Sequence, residues 1–267
     1  MKTTSQLLLA GTVLAAACSA HAAIDITPTF AGAPSGWSTD RYDPTSFSDV
    51  GNYQGRSDVL GIGITSAGAL NNRPAAFQSS FYNTQGRSQA ISGGAGTMIS
   101  ADLYIPTTWG NSANGNFRSD IWGVMSDGSA NVTDYPILGF SNYGGAARFR
   151  IWEENLGVWV DLAATVNYDS WNSLGIEFTG TSYVYWVNGT AVLMDDTING
   201  STGFSSIIMQ AYNFGGDPSY PDANAVDYTA YWSNTPVPEP STYVAGALLL
   251  LPVGFSTLRL MRKSQKA

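Results

Sequence analysis

Trp171-Asn172-Ser173-Leu174-Gly175-Ile176-Glu177-Phe178, followed by Tyr183-Val184-Tyr185-Trp186-Val187, Asn188-Gly189 and Thr190-Ala191-Val192-Leu193, decides the fold class. Side chains alternate between the two faces of a strand. Leu174, Ile176 and Phe178 therefore share one face, and Glu177 takes the other. The next two runs are rich in β-branched and aromatic residues, with only Asn188-Gly189 between them. Asn-Gly in that setting is the strongest short-range hairpin signal, because both residues tolerate φ > 0.

The same texture continues outward in both directions. Val59 to Thr65, Met98 to Ile105 (stopped by Pro106), Ile121 to Met125 and Ile137 to Phe140 read as strands. Arg148 to Trp152 alternates: Phe149 and Ile151 face one way, Arg148, Arg150 and Trp152 the other. Glu153 to Gly157 turns the chain into Val158 to Leu162, where Val158 and Val160 oppose Trp159 and Asp161. Ser206 to Tyr212 and Asp227 to Trp232 close the series. Gly, Asn, Asp and Ser clusters separate the runs, and no 3.6-residue amphipathic pattern stands between residues 30 and 235. An all-β antiparallel two-sheet sandwich is expected.

Trp171-Asn172-Ser173-Leu174-Gly175-Ile176 has the form W-x-x-L-x-I, and Val187-Asn188-Gly189 ends the following strand. Together they resemble the laminin-G/concanavalin-A-like jelly roll. The resemblance implies two curved sheets packed face to face, one side of the sandwich being concave.

The two ends of the chain concern destination. Lys2, the apolar run Leu7 to Ala17 and Ala20-His21-Ala22 form a signal peptide, residues 1–22, with cleavage before Ala23. Near the other end, Pro238-Glu239-Pro240 precedes Tyr243 to Leu260, 18 residues with no charge before Arg259. As a helix this stretch spans roughly 27 Å, enough to cross a bilayer core. Arg262, Lys263 and Lys266 follow it, which orients the C-terminus to the cytoplasm. Residues 236–267 resemble the PEP-CTERM sorting signal of Gram-negative bacteria. The resemblance implies processing by signal peptidase and by an exosortase. It also implies a precursor anchored in the inner membrane and delivery to the cell surface or extracellular matrix. The wider body, from Asp40-Arg41-Tyr42-Asp43-Pro44 onward, is similar to a recurring group of such proteins.

Between the ends lies one domain, residues 23–235. The only Cys (Cys18) and the only His (His21) precede it. Without thiol or imidazole the body has no disulfide, no Cys/His zinc site, no Ser-His-Asp triad and no Cys-His dyad. It also has no Lys, and 7 Arg face 19 carboxylates, a balance of −12. A nucleic-acid partner is not expected of such a surface.

Three candidate chemistries remain. Trp122, Trp152, Trp159 and Trp186 lie on strands and are the candidate platform for stacking on sugar rings. Asp217, Asp222 and Asp227 crowd a Gly/Pro-rich loop whose oxygen ligands suit calcium, the one candidate cofactor. Gly93-Gly94-Ala95-Gly96 lacks the Lys-Ser/Thr of a phosphate loop and reads as a turn. A glycoside hydrolase of the jelly-roll class would carry E-x-D-x-x-E on one strand. The body has only Glu153, Glu154 and Glu177, none of which begins that pattern, so no catalytic residue is assigned. The expectation is a non-enzymatic surface or matrix protein that binds extracellular polysaccharide and meets the membrane only through its C-terminal anchor. The alternatives are a glycan-active enzyme and a purely structural matrix component.

Overall fold

A computed structural model describes residues 23–154 and 156–234. The expected signal peptide (1–22), the Pro238-Glu239-Pro240 motif and the expected span 243–260 lie outside the described residues. Among the described residues no helix is long and apolar enough to cross a membrane.

The strands, in chain order, are β1 (Ile24–Ile26), β2 (Ser38–Asp40), β3 (Ser46–Asp49), β4 (Leu60–Ile64), β5 (Gln85–Gly93) and β6 (Thr97–Ile105). Then come β7 (Arg118–Ser126), β8 (Val132–Asp134), β9 (Ile137–Ser141), β10 (Arg148–Glu153) and β11 (Val158–Asp161). The series ends with β12 (Ser170–Phe178), β13 (Tyr183–Val187), β14 (Thr190–Asp195), β15 (Gly203–Tyr212) and β16 (Tyr228–Ser233). The described helices are single 3-10 turns, such as Thr107–Gly110 after Pro106.

Two sheets result. The first runs β14-β13-β12-β6-β16-β4-β3, and the second β11-β10-β9-β7-β15-β5-β2, with β8 on β7. This is the expected all-β sandwich, with one departure from antiparallel pairing. β1 lies parallel to β6, Ile24 opposite Thr97. It occupies the early part of an edge of β6 whose later part, Asp102 to Tyr104, pairs with β16.

The hairpin forms as its sequence dictates. Asn188 and Gly189 take φ of 50° and 76°, and Val187 faces Thr190 across a two-residue turn. Asn188 adds two side-chain bonds. Its Oδ1 accepts from Ser173 N (3.0 Å), and its Nδ2 donates to Asn172 Oδ1 (3.2 Å).

The inner faces meet in one apolar core. Leu174, Ile176 and Phe178 of the first sheet are in the same cluster as Ile121, Leu138, Phe149, Ile151 and Met209 of the second. Each fully buried side chain of this kind contributes about 1.5–3 kcal/mol.

β5 escapes a reading by hydropathy. Gln85-Gly86-Arg87-Ser88-Gln89-Ala90 has no apolar alternation. It is a strand because β15 pairs with it from Phe204 to Ala211, whereas β2 covers only Ser88 to Gly86 on its other side. Its Arg87 reaches the sandwich edge, pairing with Asp43 (2.9 Å) above the Phe47 ring.

Candidate functional site

The period-two alternation that fills the core also composes the opposite, outer face of the second sheet. Three ladder rows lie there, read across the strands. One is Ser38, Ser88, Ile208, Trp122, Ile137, Trp152 and Trp159. The next is Asp40, Gly86, Gln210, Asp120, Gly139, Arg150 and Asp161. The third is Tyr212, Arg118, Ser141 and Arg148. An apolar, aromatic row thus borders a charged one.

The charged row needs its glycines. A Cβ on Gly139 would sit 2.0 Å from Asp120 Oδ1, and one on Gly86 2.2 Å from the Met209 carbonyl. Asp120 and Gln210 therefore lie over bare backbone, which only glycine permits.

Loops wall this face into a cavity of about 350 Å³, lined by Arg41, Asn83, Thr84, Arg118, Trp122, Tyr135, Ile137, Trp152, Glu154, Trp159 and Tyr220. Arg73 braces one wall by donating to the carbonyls of Gly68 (2.8 Å), Tyr82 and Asn83 (3.3 Å). On another side Tyr143, Phe214 and Tyr220 stack together, and Tyr212 OH donates to Asp217 (2.5 Å).

Charges on the face are mostly matched. Arg118 donates to Asp120 (2.6 Å), Arg148 to Asp161 (2.7 Å) and Arg41 to Asp40 (3.3 Å). The arginines also stack on the indoles. Arg41 lies 4.5 Å from the Trp122 centroid, while Arg118 and Arg150 lie 4.5 and 4.0 Å from that of Trp159. Burial raises the Asp40 carboxyl, opposed by Arg41 and by a hydrogen bond from Gln210. Burial pushes Arg150 down to about 9, with Arg118 adding to the effect, so it stays charged at neutral pH.

A carboxyl pair closes the aromatic end. Asp134 and Glu154 both accept from Tyr135 N, at 2.8 and 3.1 Å, which brings the two carboxyls side by side. Burial first, and the Glu154 carboxyl second, raise Asp134 to about 8.

Several buried polar atoms have no partner within the protein. Thr84 Oγ1, Asp120 Oδ1, Trp122 Nε1, Arg150 Nε and Gln210 Oε1 all belong to residues of this face or its cavity. They include donors and acceptors. Buried polar atoms are ordinarily paired, so a cluster of unpaired ones marks a place.

No family model and no curated protein matches this chain. Among solved structures it is similar to many chains, of which three are given. The carbohydrate-binding module CBM66 from Bacillus subtilis is 13% identical at TM-score 0.40, over 78% of this chain and 96% of that one. Bacillus licheniformis β-glucanase is 15% identical at 0.44, over 77% and 93%. SCLam, a non-specific endo-β-1,3(4)-glucanase from family GH16, is 13% identical at 0.45, over 78% and 89%. At these values the similarity assigns neither ligand nor activity.

Three of the four candidate tryptophans meet: Trp122, Trp152 and Trp159 line the cavity. Trp186 does not join them. It sits on β13 in the first sheet, opposite Gly175, and its Nε1 donates to Glu177 (3.1 Å). Periodicity assigns a side chain to a face of its own strand but not a strand to a sheet. The loop carboxylates are engaged separately. Asp217 accepts from Tyr212 OH and Ser219 N, Asp227 accepts from Ser66 N, and Asp222 is exposed. Among the described residues no three His, Cys, Asp or Glu are grouped as a metal site. Arg118, Asp120 and Trp122 could have been read as one face from their spacing. Nothing in the sequence joins Gln210, Arg41 or Thr84 to them.

Proposed function

We propose that this chain is an exported cell-surface or extracellular-matrix protein whose sandwich binds polysaccharide, without cleaving it, on the outer face of the second sheet. The observation that carries this reading is the mixture of unpaired buried donors and acceptors around an indole-lined cavity. A sugar hydroxyl donates and accepts at once, and the C–H face of a pyranose packs on an aromatic ring. A fatty or purely apolar ligand would leave those polar atoms unpaired at a cost of about 1–3 kcal/mol each.

Hydrolysis is the second reading, and one observation favours it: Glu154 lines the cavity beside a carboxyl whose proton is held to high pH. Retaining hydrolysis needs carboxyls roughly 5–5.5 Å apart, across a glycosidic bond. Asp134 and Glu154 instead share the Tyr135 N–H, which sets them side by side rather than across a bond.

The test is to titrate purified full-length chain with a panel of neutral and acidic polysaccharides, with and without a chelator. Saturable binding to at least one glycan is expected, weakened about tenfold by Trp152→Ala. Release of reducing sugar would favour the enzyme. No binding at about millimolar sugar would favour a purely structural matrix component. Loss of binding in chelator would bring calcium into the reading. Export is tested separately. Glu239→Ala should leave the protein in the inner membrane of an exosortase-bearing strain, and unchanged surface delivery would overturn the sorting reading.

A further inference from the structure

Four of the body's seven arginines stand on the outer face of the second sheet: Arg41, Arg118, Arg148 and Arg150. The rest of the body is strongly acidic, so this is a local concentration of cations. Three are matched by aspartates of the same face. Arg150 forms no ion pair among the described residues. It is 6% exposed, and its Nε has no partner within the protein. Its nearest opposite charge is Asp120, which is already paired with Arg118, so Arg150 is left short of a partner of its own.

The surroundings present this charge rather than bury it idly. The Arg150 guanidinium rests 4.0 Å from the Trp159 centroid, with Arg118 on the same indole. Stacking fixes the guanidinium plane, with Nε enclosed and the Nη end without a hydrogen-bond partner among the described residues. That end is a planar fork matched to a carboxylate. Along the outer face of β10, Arg150 is followed by Trp152 at a step of roughly 7 Å, and Glu154 stands in the turn just after the strand. The cavity is lined by Arg41 and Arg118, by three indoles and by Glu154, and Arg150 lies beside Arg118 on the Trp159 indole.

We propose that the cavity takes a carboxylate-bearing sugar, a uronic acid residue of an acidic polysaccharide. The carboxylate docks on Arg150 beside Arg118, and the sugar ring lies against Trp152. This rests on the polysaccharide-binding reading and narrows it. The net charge of the body repels a polyanion at a distance, so discrimination comes from contact and is best read with short oligomers at physiological salt.

The experiment uses the full-length chain and calorimetric titration. The probes are trigalacturonate, triglucuronate and trimannuronate, each beside its own methyl ester, which has the same shape without the charge. At least one acid should bind about tenfold or more tighter than its ester. Arg150→Met keeps a stem on Trp159 and removes the charge. It should bring the acid down to the level of the ester measured on the same variant. Arg150→Lys, a cation without the fork, should recover only part of the difference. The wild-type ratio of acid to ester decides by itself, so a variant that fails to fold does not rescue the proposal. Esters binding as tightly as acids would overturn it and leave polysaccharide binding standing, as would a preference that survives Arg150→Met. No binding of acids, esters or the polysaccharide panel would overturn both.

Discussion

Single residues decide what this face can do. Gly139 is the clearest, because Asp120 occupies the place its Cβ would take. Gly139→Ala should lower stability by about 1–3 kcal/mol and displace Asp120. Gly128→Ala, with nothing within 4 Å of the added methyl, should be close to neutral. Denaturant midpoints of the two variants check this, and equal midpoints would contradict it. Asp134 sets a pH dependence. Its carboxyl rises from 3.8 to about 8, so the folded chain holds a proton that the unfolded chain releases above about pH 4. This contribution is complete below pH 4 and is lost as pH rises towards 8. Asp134→Asn should flatten that slope and be more stable than the parent at pH 8. Denaturant midpoints at pH 5 and pH 8 measure it, and an unchanged slope would show that another group controls it. None of this was legible beforehand, because Glu154 reaches Asp134 only after β8 and β10 have been placed.

At the scale of elements, pattern was informative where one strand face was apolar. In β10, Phe149 and Ile151 are fully buried while Arg148, Arg150 and Trp152 share the outer face, as their alternation predicts. The hairpin turn follows from two residues alone. Gly189 at φ 76° has open space around it, so any cost of a side chain there is backbone strain. Gly189→Ala should cost about 1–2 kcal/mol. It should act chiefly on the pairing of β13 with β14, read by amide exchange in those strands. Full protection in the variant would contradict the assignment of strain. β5 shows the opposite case. Its polar sequence becomes a strand through its neighbour β15, a partner more than a hundred residues away in the chain.

At the scale of the whole molecule, the last strand is a central one. β16 lies between β6 and β4, and its Trp232 is fully buried, donating from Nε1 to Ser119 Oγ (2.9 Å) in the other sheet. A chain ending at Asp227 should therefore fail to fold, although it keeps all but one of the strands. Near-UV circular dichroism checks this: native-like signal from the truncated chain would mean that β4 and β6 close the gap unaided. One core cluster draws on both sheets, so the intact sandwich should unfold in a single transition. Coincident near- and far-UV melting curves are the expected result.

The sequence by itself determined the class of the fold, its hairpin turn, the inward side of most strands and the exclusion of thiol and imidazole chemistry. These depend on local alternation, on the φ preference of two residues and on composition, all carried by neighbouring positions. The tertiary structure alone decided which strands share a sheet. On that depended the separation of Trp186 from Trp122, Trp152 and Trp159, and the gathering of Arg41, Asp120, Arg150 and Gln210 onto one face. Such a site is assembled by ladder register between strands distant in the chain. Register is a property of pairs, and no single stretch of sequence contains it.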